Sequence, residues 1–94
     1  MLSEKQFQEQ VRDLAKIFGW KYYHTWRSIH SPAGFPDCVM VRGERLVIAE
    51  LKSEKGIISD KQQEWLDALK EIPCVEAFLW RPDDIEQIAE VLRG

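Results

Sequence analysis

Three ionisable residues stand where a strand pattern calls for apolar ones: Asp37, Glu50 and Lys52. Residues 37–42 and 45–52 read as two strands around Gly43-Glu44, and Gly-X is a two-residue hairpin turn of type II′. Glu50 and Lys52 are two apart, so on a strand they share one face with Leu46 and Ile48. The hairpin pairs Arg42 with Arg45, and the same register sets Asp37 directly opposite Glu50. Their Cβ atoms should then be about 4.5–5.5 Å apart, and like charges so opposed destabilise a sheet. A cation between them would remove that cost. Oxygen-only ligation with open positions suits Mg2+ or Mn2+, which keep several waters and accept phosphate oxygens. Lys52, one pleat away, is placed to hold an attacking water or to neutralise charge on a phosphate in the transition state. Glu4 is a fourth candidate, because it falls near the apolar stripe of the first helix, whereas Glu9 falls on the opposite side. A plainer reading stays open at this point. Glu50 and Lys52 would also serve as a surface pair worth at most about 1 kcal/mol, and Asp37 after Pro36 as a turn residue.

The elements that must position these residues are legible in order. Ser3 and Gln6 have capping-box spacing, and Phe7, Val11, Leu14, Ala15 and Phe18 follow at helical spacing. Gly19 ends that helix as its C′ residue. Residues 20–27, WKYYHTWR, are aromatic-rich and predict a strand, and 28–36, with two Pro and a Gly, predict a loop. After the hairpin, residues 53–58 connect to a second helix capped by Ser59 and Gln62, with Trp65, Leu66 and Leu69 on its apolar face and Pro73 as its stop. Residues 74–80 predict a fourth strand, and Pro82 opens a last helix through Ile85, Ile88, Ala89 and Leu92. The first three strands suit an antiparallel meander. The fourth follows a helical crossover and should lie parallel to the third, with a right-handed connection. The fold class is α/β (α+β): a small mixed sheet flanked by helices.

Ninety-four residues, 45% hydrophobic and 31% charged, predict a single domain over 1–94. That composition excludes disorder, collagen and a coiled-coil rod. No run approaches the roughly 20 apolar residues of a membrane helix, and the start MLSEKQFQEQ has no signal-peptide core, so a cytoplasmic location is expected. A Cys38–Cys74 disulfide is not expected there, and the two Cys and two His lack zinc spacing. The net charge of −3 does not advertise nucleic-acid binding, but it is unevenly spread. Residues 16–56 carry seven basic and four acidic side chains, whereas 57–94 carry four basic and nine acidic. This basic island would serve a phosphate backbone, or simply a solvated face.

Gly34-Phe35-Pro36-Asp37, with Glu50-Leu51-Lys52 thirteen residues on, resembles the PD-(D/E)xK nuclease signature. The fuller match is to the VRR-NUC branch (virus-type replication-repair nucleases): a helix-one Glu, a G-x-P-D loop, an E-x-K strand and a helix with Q-x-x-aromatic. Here these are Glu4, GFPD, ELK and Gln62-Gln63-Glu64-Trp65, and the likeness runs on to Trp80-Arg81-Pro82. The triplet alone is a weak signal, and the ordered set of four is a strong one. The resemblance implies a restriction-endonuclease-like αβββαβ core. It also implies that Asp37, Glu50 and the Leu51 carbonyl hold Mg2+ or Mn2+, that Lys52 is the catalytic lysine, and that Glu4 completes the acidic cluster, with Glu9 as fallback. Gln62 would orient Lys52 or a phosphate. The implied activity is hydrolysis of DNA phosphodiester bonds by in-line attack of a metal-activated water. Stand-alone members of this length resemble virus-encoded enzymes that act as homodimers on branched DNA such as four-way (Holliday) junctions. Members with an added helical domain act on flaps.

His24, Arg27, His30, Ser31 and Lys55 lie in the basic island, and some of them are expected to contact phosphate. Four Trp, two Tyr and four Phe are many for so small a core, so an isologous dimer interface or dense core packing should absorb them. Cys38 and Cys74 read as small hydrophobes. Two rivals remain: a DNA-binding module of the same fold that does not cut, and an interaction protein that uses its aromatic surplus and acidic C-terminal third.

Overall fold

The computed structural model describes residues 2–26 and 30–94. Helix α1 (Glu4–Ile17) begins at a closed capping box, in which Ser3 Oγ accepts from the Gln6 N–H at 3.1 Å and Gln6 Oε1 accepts from the Ser3 N–H at 2.9 Å. Its apolar stripe buries Phe7, Val11 and Ala15. At its end Gly19 takes φ 81°, which lets Trp20 N–H reach the Ala15 carbonyl and Gly19 N–H the Lys16 carbonyl. These two bonds close a Schellman motif and satisfy carbonyls that the helix would otherwise orphan.

Strand β1 (Lys21–His24) is shorter than the aromatic run 20–27 predicts. Trp20 leaves the ladder for the core, where its Nε1 donates to the Leu92 carbonyl at 2.7 Å. Strands β2 (Cys38–Arg42) and β3 (Arg45–Leu51) form the expected hairpin, with Arg42 opposite Arg45 and Cys38 opposite Ala49. Gly43 has φ 59° while no described non-glycine residue has positive φ, which is the type II′ requirement. Helix α2 (Asp60–Lys70) starts at a second closed capping box, made by Ser59 and Gln62, and ends three residues before Pro73. Strand β4 (Val75–Trp80) runs parallel to β3. Pro82 opens a 3-10 turn over Pro82–Asp84 before α3 (Ile85–Arg93), because Asp84 Oδ2 caps the Arg81 N–H and tightens that first turn.

The sheet order is β1-β2-β3-β4, the mixed sheet flanked by helices that the sequence predicts. Alternate residues Cys38, Met40, Val47, Ala49 and Leu51 join α1 and α3 in one core with Trp20 and Trp80. α2 packs along β4. β3 is one of the two interior strands, and its residues 47–51 are all buried. Among the described residues no helix is long and apolar enough to cross a membrane. Both thiols are free. Cys38 is a core residue whose pKa burial pushes up to about 12, but Cys74 is exposed just before β4 rather than packed within it.

Candidate active site

The last rung of the hairpin ladder is Cys38 opposite Ala49, so the next step sets Asp37 against Glu50. Three local features hold Asp37 there. Pro36 before it is fully buried. Thr25, just beyond β1, donates its N–H to the Asp37 carbonyl and its Oγ1 to the Pro36 carbonyl, both at 2.7 Å. Asp37 Oδ2 then reaches across to accept the Leu51 N–H at 2.7 Å. The loop before Asp37 needs its glycine. Gly34 has φ 100°, and a Cβ there would stand 2.6 Å from the Lys61 carbonyl carbon of α2. Phe35 meets Trp65 of the same helix edge to face at 5.1 Å. The G-x-P-D loop is thus pressed on the first turns of α2.

Among the described residues Glu50 is the one buried charged side chain, 1% exposed, and its carboxyl oxygens find no donor in the protein other than what a proton shared with Asp37 supplies. A buried carboxylate without partners is costly in its charged form. Burial, foremost, then Asp37 beside it push the Glu50 pKa from its ordinary 4.5 up to about 9, with Lys52 opposing and Glu4 adding a little. Without a cation this carboxyl stays neutral at pH 7.

Asp37 and Lys52 open into a cleft of about 1130 Å³, larger than the usual enclosed small-molecule pocket. Glu4, Gln8, Ser31, Ser59, Gln62 and Trp65 share its lining, so the first turns of both α1 and α2 border it. Their N-terminal dipole ends favour negative charge there. Glu4 borders the cleft and Glu9 does not. Among the described residues, however, no three His, Cys, Asp or Glu side chains gather as a metal cage, so Glu4 does not close into a three-acid cluster. Two carboxylates still fit a magnesium-type ion, which is commonly held by one or two of them plus substrate phosphate and water. Glu50, with two unpaired buried oxygens, is the donor that most needs such an ion.

Gln62 serves two ends at once. Its Oε1 accepts the Ser59 N–H, which anchors the amide and leaves both its N–H groups free to donate into the cleft it lines. Ser31 lines the cleft, whereas His24 and Lys55 do not; Arg27 lies outside the described residues. The basic island is not one patch, because Arg42 and Arg45 sit at the far end of the hairpin. Residue-type reasoning missed Tyr23, Thr25 and Trp26 on the cleft wall. The period-2 alternation of β1, which turns Tyr22 to the core and Tyr23 away from it, is the signal that carries this. It also missed Arg81, whose Nη1 donates to the Ser53 and Gly56 carbonyls at 2.7 Å and so ties down the turn that follows Lys52.

No family profile matches the chain, and none of the curated proteins matches it in sequence. Solved structures do. A VRR_NUC domain protein superposes with a TM-score of 0.73 over 98% of this chain and 86% of its own, at 20% identity. Archaeoglobus fulgidus Hjc, a Holliday junction resolvase from an archaeal hyperthermophile, superposes with a TM-score of 0.55 at 25% identity. That match covers 80% of this chain and 64% of the resolvase, so the chain spans less than two thirds of the resolvase's length. The chain therefore has the fold of a VRR-NUC domain, the branch of the PD-(D/E)xK superfamily that its ordered motifs resemble.

Proposed function

We propose that the chain is a divalent-metal-dependent DNA endonuclease that cuts four-way junctions as a homodimer. One observation carries the reading: Asp37, which lines a cleft together with Lys52, has beside it the buried carboxyl of Glu50, which has no donor from the rest of the protein. Such a pair inside a protein calls for a functional explanation, and a cation that displaces the Glu50 proton is the one its two acids suit. Asp37, Glu50 and the Leu51 carbonyl would hold Mg2+ or Mn2+. The bound ion supplies Lewis-acid polarisation of a phosphoryl oxygen and a nucleophilic water at neutral pH.

The chain's own groups do the rest. Asp37 has one oxygen committed to the Leu51 N–H, which fixes the orientation of the other. Lys52 presents an ammonium to phosphate oxygens as their charge builds. The Gln62 amide donates to a phosphate or to the group that Lys52 holds. Ser31 adds a hydroxyl on the cleft wall. The junction as substrate rests on the likeness to a Holliday junction resolvase. The dimer rests on the two-fold symmetry of such a substrate, which needs two paired cuts. Ile17, Ile57 and Ile72 leave apolar surface for a partner copy.

The test is a panel of labelled linear, flap and four-way-junction DNAs, each with and without Mg2+ and Mn2+. Cleavage should need metal and favour the junction. Asp37→Asn and Lys52→Ala should each cut the rate by about 100-fold or more, with unchanged circular dichroism. Undiminished cleavage by either variant refutes the assignment. A folded protein that binds the junction but never cuts it would be a non-catalytic module.

A further inference from the structure

We propose that Trp26, with Tyr23 beside it, is a stacking platform for one unpaired nucleobase next to the scissile phosphate. The proposal rests on the nuclease reading and adds to it a preference for strands whose bases are out of the duplex at the cut. Trp26 is 81% exposed and Tyr23 61%, and both line the cleft that holds Asp37 and Lys52. An indole is among the largest gains a small core can bury, so one left in water beside a polar site calls for a ligand. Singly scattered surface apolar residues need no explanation, but these two share one wall with the candidate metal-binding carboxylate.

The placement is rigid at its root. Thr25 is locked by its N–H to the Asp37 carbonyl and by its Oγ1 to the Pro36 carbonyl. Trp26 is the next residue, its Cα about 3.8 Å further along the chain. His24 meets the Trp26 ring edge to face, centroids 6.4 Å apart. This contact gives His24 a part in the site as a support for the indole, although it does not line the cleft. A nucleotide whose phosphate sits at Asp37 and Lys52 thus has an aromatic face within reach of its base or its neighbour's.

Stacking of this kind is sequence-tolerant, because every base has a π-face. Inside a duplex both faces are covered by neighbouring pairs. Only an unpaired or unstacked base has a face to offer, so the wall selects for interrupted duplexes and against blunt linear DNA.

The experiment compares wild type, Trp26→Ala and Trp26→Phe, without added metal. Each is titrated with a single-stranded oligonucleotide carrying a fluorescent base analogue and with a blunt duplex of equal length. The Ala variant should bind the single strand roughly 5- to 150-fold more weakly, the equivalent of about 1–3 kcal/mol per stacked base. It should also lose the stacking-induced change in analogue fluorescence. Duplex affinity should stay within about two-fold, and Phe should restore most of the loss. Equal single-strand affinity for wild type and the Ala variant overturns the proposal, as does an equal loss on both DNAs or no DNA binding by wild type. Metal-dependent cleavage is scored separately on the same panel. If DNA is cut but Trp26→Ala binds normally, the platform fails and the nuclease stands. If nothing is cut but the single-strand loss appears, the nuclease fails and the platform stands.

Discussion

The β2–β3 hairpin carries two like-charged pairs, one at each end, and the protein treats them in opposite ways. At the turn, Arg42 stands opposite Arg45. Both guanidiniums lie over the Trp20 ring, at 4.7 and 5.0 Å from its centroid. Arg42 Nη1 donates to the Phe18 and Leu92 carbonyls, and Arg45 makes a two-pronged pair with Glu76 at 2.6 and 2.9 Å. Both guanidiniums there have partners from the chain itself. At the open end, Asp37 faces a Glu50 whose oxygens have none. The same register and the same two strands thus make one end self-sufficient and leave the other incomplete. Repulsion between strands is tolerated where the fold supplies the counter-charge. Where the fold withholds it, Glu50 keeps a proton until a cation from solution takes its place.

The contrast breaks hardest at the turn end. Trp20 is 5% exposed, joins the core, bonds the last turn of α3 and carries both arginines. Trp20→Ala should cost about 3–5 kcal/mol of stability, the usual range for a buried Trp. Urea unfolding at fixed pH measures it. A loss below about 1 kcal/mol would show that the turn end is not self-sufficient in the way described. Glu50→Gln at the other end should keep the fold while abolishing cleavage.

The open end has its own signature in pH. A carboxyl whose pKa is raised by folding binds a proton that the unfolded chain has already released. Its contribution is full below about 4.5 and is lost as pH climbs toward about 9. Metal-free protein should therefore lose stability between pH 5 and 9, by up to about 1.4 kcal/mol per pH unit. Glu50→Gln should flatten that slope. Mg2+ should oppose it too, since a bound cation keeps the carboxylate ionised and expels the proton. Parallel slopes for wild type and the Gln variant would sink this account of the pair.

Much of that open end was legible in the residues. Gly43-Glu44 sets the hairpin register, which runs to Cys38 opposite Ala49 and so directs residue 37 toward residue 50. The S-x-x-Q boxes at Ser3 and Ser59 mark both helix starts that border the cleft. These are local signals, and local geometry decides them. The turn end was less legible, because its partners lie far away in sequence. Arg42 is answered by carbonyls 24 and 50 residues distant, and Arg45 by Glu76, 31 residues on. A count of basic residues along the chain cannot tell which of them tertiary contacts will consume. Gln62 illustrates the same limit within four residues: its oxygen is engaged in a cap, which orients its N–H groups for the site. Arg81 was hidden because its role is to bond carbonyls of residues 53 and 56, and any residue type could have presented those.

The smallest expected effect sharpens the comparison most, because its pH sign is the reverse. Glu76 is held below the usual carboxylate range, chiefly by its hydrogen bonds to Arg45. A lowered pKa contributes stability that is present above the unfolded value and is lost as pH falls through the folded one. Both partners are about a third exposed, so solvent screens the pair and Glu76→Gln should cost no more than about 1 kcal/mol at pH 7. That cost should shrink as pH falls through the lowered folded value, where wild type loses the charge as well. Arg45 keeps the Trp20 ring and the Val91 carbonyl even when Glu76 is neutral, so the strand pairing survives. Paired unfolding curves for wild type and Glu76→Gln across pH 3–7 read the difference. A cost that grew on acidification would mean that Arg45 is not the group holding this carboxylate. The opposite-signed pH responses of the two ends would then no longer follow from one register.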